Sequence, residues 1–309
     1  MSKTALLFAG QGAQVVGMGR DLAEAYPSAK KWFDRANEAL GYDLASICFS
    51  GPEAELTRTE NAQPGIFLVS WVALQLLLER KPGLVFEGTA GLSLGEFTAL
   101  AAAGVMSFEE GLRVVRQRGR FMQEACEATQ GGMAAVIGLD EAPTREVCAQ
   151  AGVVLANMNC PGQLVISGAT EKINQACELA LAKGARRALP LPVAGAYHSP
   201  LMASAQPKLQ SELAGIAMKG SAVTVVSNVT AQPHQEADSI RARLVEQVTA
   251  SVLWEASIRW FLANGFTRFI ELGPGTALSG FMKRIDKNAQ MFNVADVGSL
   301  DKTVAALPS

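Results

Sequence analysis

The apolar positions of the chain fall into short runs of two kinds. Residues 4–9 (TALLFA), 84–90 (LVFEGTA), 224–230 (TVVSNVT) and 268–275 (RFIELGPG) are compact apolar runs bounded by glycine, proline or polar residues, the pattern of buried strands. Residues 16–26, 28–40, 66–80, 236–249 and 255–265 instead read as helices. Strands alternating with helices predict an α/β fold with a parallel sheet covered on both faces. From about 131 to 196 the order changes to strand (MAAVIGL), helix (EAPTREVCAQAG), strand (VVLANMN), strand (QLVISGA), helix (TEKINQACELALAKGA) and strand (RRALPLPV). That is the βαββαβ order of a ferredoxin-like unit. Patterns of the first kind resume after it. The expected division is therefore a large domain of residues 1–127 and 198–309 with an inserted small domain, 128–197. The last twenty residues carry little pattern.

Composition narrows the class. Of 309 residues, 49% are apolar and 18% charged, as in a globular protein that buries a large core. The formal net charge of −2 offers no global field for nucleic acid or an anionic membrane surface, so an anionic ligand must be met locally. The five cysteines, Cys48, Cys126, Cys148, Cys160 and Cys177, are odd in number, scattered and never spaced C-x-x-C, which argues against a disulfide framework or a zinc site. The apolar run at 66–78 is shorter than the ~18 residues a membrane span needs and is expected to be a buried helix. The short apolar run at the N-terminus does not make a signal-peptide core. A cytoplasmic protein with no membrane or nucleic-acid partner is the expectation.

The chemistry begins at GLSLGE, residues 91–96, where Ser93 stands between a strand and a helix. The pattern G-x-S-x-G at such a junction matches the nucleophile elbow, whose glycines let two chain segments approach while the hydroxyl stands clear of the sheet. A serine before a helix also serves as an N-cap. A serine nucleophile needs a base, and the chain holds two histidines. His234 lies in the polar stretch TAQPHQEAD and reads as a loop histidine. His198, in PVAGAYHSP, follows the last strand of the inserted unit among small residues that leave room for a ligand. Within six residues of His198 there is no Asp or Glu, so either a distant acid or a backbone carbonyl must orient it.

Arg118 is the sharpest clue to the substrate. On a helix over GLRVVRQRGRFMQEA, Gly111, Val114, Val115, Arg118, Phe121, Met122 and Ala125 share one face. Arg113, Arg116 and Arg120 fall on the other. A guanidinium within an apolar stripe needs a partner, because an unpaired buried charge costs several kcal/mol. An internal carboxylate, a snorkelling stem and a substrate carboxylate held by a bidentate fork each satisfy that requirement. The turn AGQGAQ, residues 9–14, lacks the P-loop and dinucleotide fingerprints, and places Gln11 where it could line an oxyanion hole with the Leu94 N–H. Gln63 and Asn159 are polar residues in apolar settings, either site groups or turn formers.

Together FAGQGAQ, NAQPGIF, GLSLGE, VVRQRGRFMQ, NMNCPGQLVISG, LPLPVAGAYHSPLM and ELGPGTALSG resemble the malonyl-CoA:acyl carrier protein transacylase family, in order and over nearly the whole chain. The resemblance implies an α/β-hydrolase-like large domain with a parallel sheet and an inserted ferredoxin-like domain. It implies Ser93 as nucleophile, His198 as base, Gln11 and the Leu94 amide as oxyanion hole, and Arg118 as the ligand of the malonyl carboxylate. It also implies Gln63 and Asn159 in the pocket and the backbone carbonyl of Gln247 as the group that orients His198. Malonyl-CoA and an acyl carrier protein would be substrates; no metal or other cofactor is implied, coenzyme A being part of the substrate. The family elbow usually reads GHSLGE, whereas this chain has Leu92 at the second position. Loading of polyketide synthase carrier domains and hydrolysis of acyl thioesters are the rival activities.

Overall fold

The computed structural model describes residues 3–308. Its strands are β1 (Lys3–Phe8), β2 (Gly88–Gly91), β3 (Gly131–Ile137), β4 (Val154–Cys160), β5 (Gln163–Ala169), β6 (Arg187–Pro190), β7 (Thr224–Val225), β8 (Phe266–Leu272) and β9 (Gln290–Val294). They form two sheets, each in its own compact unit. One unit takes the chain up to Gly119, Ile216–Val226 and the chain from Phe261; the other takes Arg120–Gly215 and Ser227–Trp260.

The first unit is built on a parallel sheet in the order β7-β2-β1-β8-β9. Residues 4–8 of β1 are buried without alternation, as both faces of a parallel strand must be when helices cover them. The helix Thr59–Arg80 is long and apolar enough to cross a membrane by length and composition, yet 83% of its most apolar window lies inside the protein. It is a core helix, as its sequence leads one to expect. It begins seven residues earlier than the apolar run, and Pro64 sits inside it. Asn61 and Gln63, polar residues of that added segment, are buried: Asn61 accepts from the Tyr42 hydroxyl and donates to the Glu55 carbonyl, and Gln63 faces Arg118.

The second unit carries an antiparallel sheet in the order β4-β5-β3-β6, with the helices Glu141–Ala151 and Thr170–Ala182. This is the expected βαββαβ unit. Ala134, Val136, Val147, Ile166, Ile173 and Ala176 form its dry center. The compact unit is wider than residues 128–197: it also holds Ala205–Ala214 and Ala237–Glu246, which lie outside the expected small domain. One cause is a parallel bridge between Asn157 and Val252, where Val252 N–H donates to Ala156 O at 2.8 Å and Met158 N–H to Val252 O at 2.9 Å.

Other elements also depart from the sequence pattern, the short helices Leu44–Ser50 and Glu53–Thr57 among them. The strand expected over 224–230 stops at Val225, because a turn closes from Ser227, with Ala231 N–H donating to Ser227 O at 2.9 Å. The strand expected over 84–90 is only Gly88–Gly91. The last twenty residues hold β9 and the helix Val297–Ala306, the latter opened by a capping box between Asp296 and Ser299.

Candidate active site

Ser93 sits at φ 53°, in the left-handed region, between β2 and the helix Gly95–Ala102. That conformation costs a non-glycine residue about 1–3 kcal/mol and persists only where the surroundings enforce it. Here the flanking glycines do so by close approach. A Cβ on Gly91 would lie 1.9 Å from the Gly95 carbonyl, and one on Gly95 would lie 2.3 Å from Phe8 O. The elbow is pinned to β1 by Leu92 N–H donating to Phe8 O at 3.1 Å. Ser93 is thereby held on the first turn beyond the sheet, with Leu94, the residue that precedes the helix, buried behind it. Helix starts leave backbone N–H groups without intrahelical partners, which is what an oxyanion donor requires. Leu92, at the position where the resemblance departs, is half-buried and packs its carbonyl and side chain on Gly10 of the first glycine turn.

Arg118 lies on the helix Phe108–Glu127 and is 1% exposed, while Arg113, Arg116 and Arg120 face solvent. Snorkelling is thus excluded. Its Nη2 donates to Ser93 Oγ at 3.1 Å and its Nη1 to Gln63 Oε1 at 2.7 Å, and the guanidinium lies 5.4 Å from the center of the Phe97 ring. Gln63 Nε2 in turn donates to Gln11 Oε1 at 3.3 Å. The first unit therefore brings Gln11, Gln63, Arg118 and Ser93 into one hydrogen-bonded series. Because the guanidinium can only donate, the Ser93 hydroxyl accepts from it and keeps its own proton available for a base.

The second unit holds His198, Gln247 and Asn159. His198 is 4% exposed and also left-handed, at φ 56°. Its Nδ1 lies 2.8 Å from the backbone oxygen of Gln247. A carbonyl oxygen can only accept, so Nδ1 carries the hydrogen and the neutral ring presents Nε2 as an acceptor. Gln247 follows the last turn of the helix Ala237–Glu246, so its carbonyl belongs to the negative end of the helix dipole and accepts from the ring. No acid is needed for that orientation. Gln247 is itself fully buried, its Nε2 donating to Asn228 Oδ1 at 3.4 Å. Asn159, on β4, is 7% exposed, and its Oδ1 has no hydrogen-bond partner among the described residues. A buried acceptor of that kind is suited to a donor on a ligand.

His234 is half-buried in the loop before the helix Ala237–Glu246. Among the described residues no group of three or more His, Cys, Asp or Glu side chains is arranged to hold a metal ion. Among the buried polar residues that carried no role in the sequence pattern are Asn228, inside an apolar run, and Glu271, near the end of β8. An acid set among the buried apolar residues Phe269, Ile270 and Leu272 was the available signal for Glu271.

A sequence model of the acyl transferase domain family matches residues 5–307. The chain is 43% identical over 312 residues to the malonyl CoA-acyl carrier protein transacylase of Bacillus subtilis (strain 168), covering 99% of this chain and 98% of that one. It is 43% identical to the Escherichia coli (strain K12) protein of the same name, over 92% of this chain and 93% of that one. The solved structure of the malonyl-CoA:acyl carrier protein transacylase of Xanthomonas oryzae pv. oryzae superimposes with a TM-score of 0.96 at 39% identity, covering 100% of this chain and 99% of that one. A malonyl-transacylase solved in complex with a type II polyketide acyl-carrier protein superimposes at 0.95 with 37% identity, over 99% of this chain and 100% of that one. With matches of this identity along its whole length, the chain belongs to the malonyl CoA-acyl carrier protein transacylase family of acyltransferases.

Proposed function

We propose that the protein moves a malonyl group from coenzyme A to the phosphopantetheine thiol of an acyl carrier protein, through a malonyl ester on Ser93. The observation that carries this is the buried Arg118 guanidinium donating to Ser93 Oγ. It puts a carboxylate-binding fork one hydrogen bond away from the candidate nucleophile.

In this mechanism His198 Nε2 takes the Ser93 proton as Oγ attacks the thioester carbonyl. The Gln11 and Leu94 N–H groups receive the oxyanion; such a donor is worth about 2.7–4 kcal/mol in the transition state. The tetrahedral intermediate collapses, the carbon–sulfur bond breaks, and the imidazolium returns the proton to the coenzyme A thiolate. The carrier thiol then gives its proton to His198 and attacks the ester, reversing the sequence and freeing Ser93. The Gln247 carbonyl holds the ring and steadies the imidazolium in both halves. Arg118 engages the malonyl carboxylate, Gln63 aims the guanidinium, and Asn159 accepts from the acyl or pantetheine chain. The two thiols and these side chains balance every proton, and a cytoplasmic setting supplies both substrates. An acyl-chain competition assay with a carrier as acceptor tests the reading: malonyl should be preferred over acetyl, and transfer to the carrier should outrun transfer to water.

A second reading keeps the chemistry and changes the acceptor to a polyketide carrier. It is favoured by the complex with a type II polyketide carrier protein and by 40% identity to the polyketide biosynthesis protein ThaF of Burkholderia thailandensis, of which this chain spans 24%. Presenting both carriers in competition separates the two.

A further inference from the structure

Glu271 is fully buried near the end of β8, and the proposed chemistry does not use it. Its carboxylate accepts from Leu278 N–H at 2.9 Å, Ser279 N–H at 2.8 Å and Ser279 Oγ–H at 2.5 Å. These are the free N–H groups at the start of the helix Ala277–Ile285, whose own N-cap residue, Thr276, makes no side-chain capping bond. Burial pushes the Glu271 carboxyl above the usual range, and the bonds from Ser279 and Leu278 oppose that push. An acid retained under this penalty fastens the helix to the strand across the intervening loop, Gly273-Pro274-Gly275-Thr276.

That loop lies beside the glycine turn that carries Gln11. Ala9 N–H donates to Leu272 O at 3.4 Å, directly before the loop. Gly273 adopts φ 118°, and a Cβ there would lie 2.2 Å from Ser70 Oγ and 3.4 Å from the Ala9 Cβ. A Cβ on Gly275 would lie 4.0 Å from the Ala13 Cβ. The loop therefore runs along the turn from Ala9 to Ala13, with Gln11 between its contacts.

We infer that Glu271 is a positioning residue for the oxyanion hole: by tying the helix Ala277–Ile285 to β8 it holds the Gly273–Thr276 loop against the Ala9–Ala13 turn and so fixes the direction of the Gln11 N–H. This rests on the reading of Gln11 as an oxyanion donor. A preorganised donor acts on the transition state and not on the bound substrate, so its loosening should lower kcat and leave KM in place. A cap that served stability alone would lower the melting temperature and spare kcat.

The test is steady-state malonyl transfer by the full chain carrying Glu271→Gln, with Ser279→Ala as the milder variant. The amide keeps the volume and one acceptor oxygen but turns an NH2 group toward backbone donors. Glu271→Gln should lower kcat by about tenfold with KM for malonyl-CoA within about twofold of wild type, and Ser279→Ala should lower kcat less, with the same constancy of KM. An unchanged kcat in Glu271→Gln, whatever its melting temperature, overturns the inference, as does a rise in KM alone. Should Glu271→Gln fail to fold, an unchanged kcat in Ser279→Ala overturns it and a lowered kcat at constant KM supports it. Wild-type protein that forms no malonyl-Ser93 would overturn the catalytic reading as well. Normal acylation of the wild type with unaffected variants would overturn the role of Glu271 alone.

Discussion

Arg118 Nη2 donates a hydrogen bond to Ser93 Oγ at 3.1 Å, in a site where Arg118 is 1% exposed. The same guanidinium that a substrate carboxylate would occupy thus rests against the hydroxyl that would be acylated. In the proposed reaction, recognition and chemistry would be coupled through this one side chain.

Arg118→Ala should therefore act on acyl choice. Truncating one member of a buried charge-assisted pair typically costs ~2–5 kcal/mol, so malonyl transfer should fall by at least about tenfold. Acetyl leaves the guanidinium without a carboxylate in the wild type, so acetyl transfer should be unchanged or improved. Lysine at 118 keeps the charge without the fork and should restore only part of the malonyl rate. Parallel measurement of both transfers checks this. An equal fall in the two would make Arg118 a structural residue.

The exposed basic residues Arg186 and Arg187, at the start of the edge strand β6, are expected to attract an acidic carrier protein. Lys183 of the same stretch is already engaged with Glu146 at 2.6 Å, so it contributes less free charge. Reversing both arginines to glutamate should raise the carrier KM and flatten its salt dependence, while the rate of Ser93 acylation by malonyl-CoA stays the same. Carrier kinetics identical to wild type at low salt would reject the surface.

All five cysteines are buried, and burial pushes the Cys48 thiol up to about 12 and that of Cys148 to about 11. The thiolate is the reactive form, so the folded protein should resist alkylation at mildly alkaline pH and keep its activity. Peptide mapping should find the label on these residues only after unfolding. Rapid inactivation with label on a single cysteine of the folded chain would place a reactive thiol at the site instead of a serine.

How far the sequence reached depended on whether a feature was local. Arg118 was legible because the 3.6-residue period alone separates it from Arg113, Arg116 and Arg120. The elbow and the βαββαβ order were legible because each is a contiguous pattern. The hydrogen bond from His198 goes to a backbone carbonyl, which no residue type announces; Gln247 came from resemblance and not from its side chain. The grip of Glu271 on Leu278 and Ser279 exists only once a strand and a helix have packed. β9 was missed because its residues are mostly half-buried, leaving neither an apolar run nor a clean alternation. The strand expected after Thr224 was overrun by the turn at Ser227, where local hydrogen bonding outweighed β propensity.

The most direct test is the mass of the protein after brief exposure to malonyl-CoA without an acceptor. One malonyl group should be added to the peptide containing GLSLGE, carried by Ser93, and it should disappear when a carrier protein with a free phosphopantetheine thiol is added. Ser93→Ala should show no adduct, and His198→Ala should form it far more slowly, since the hydroxyl then lacks its base. An adduct on any residue other than Ser93, or none under rapid quench while transfer to the carrier proceeds, would contradict the account.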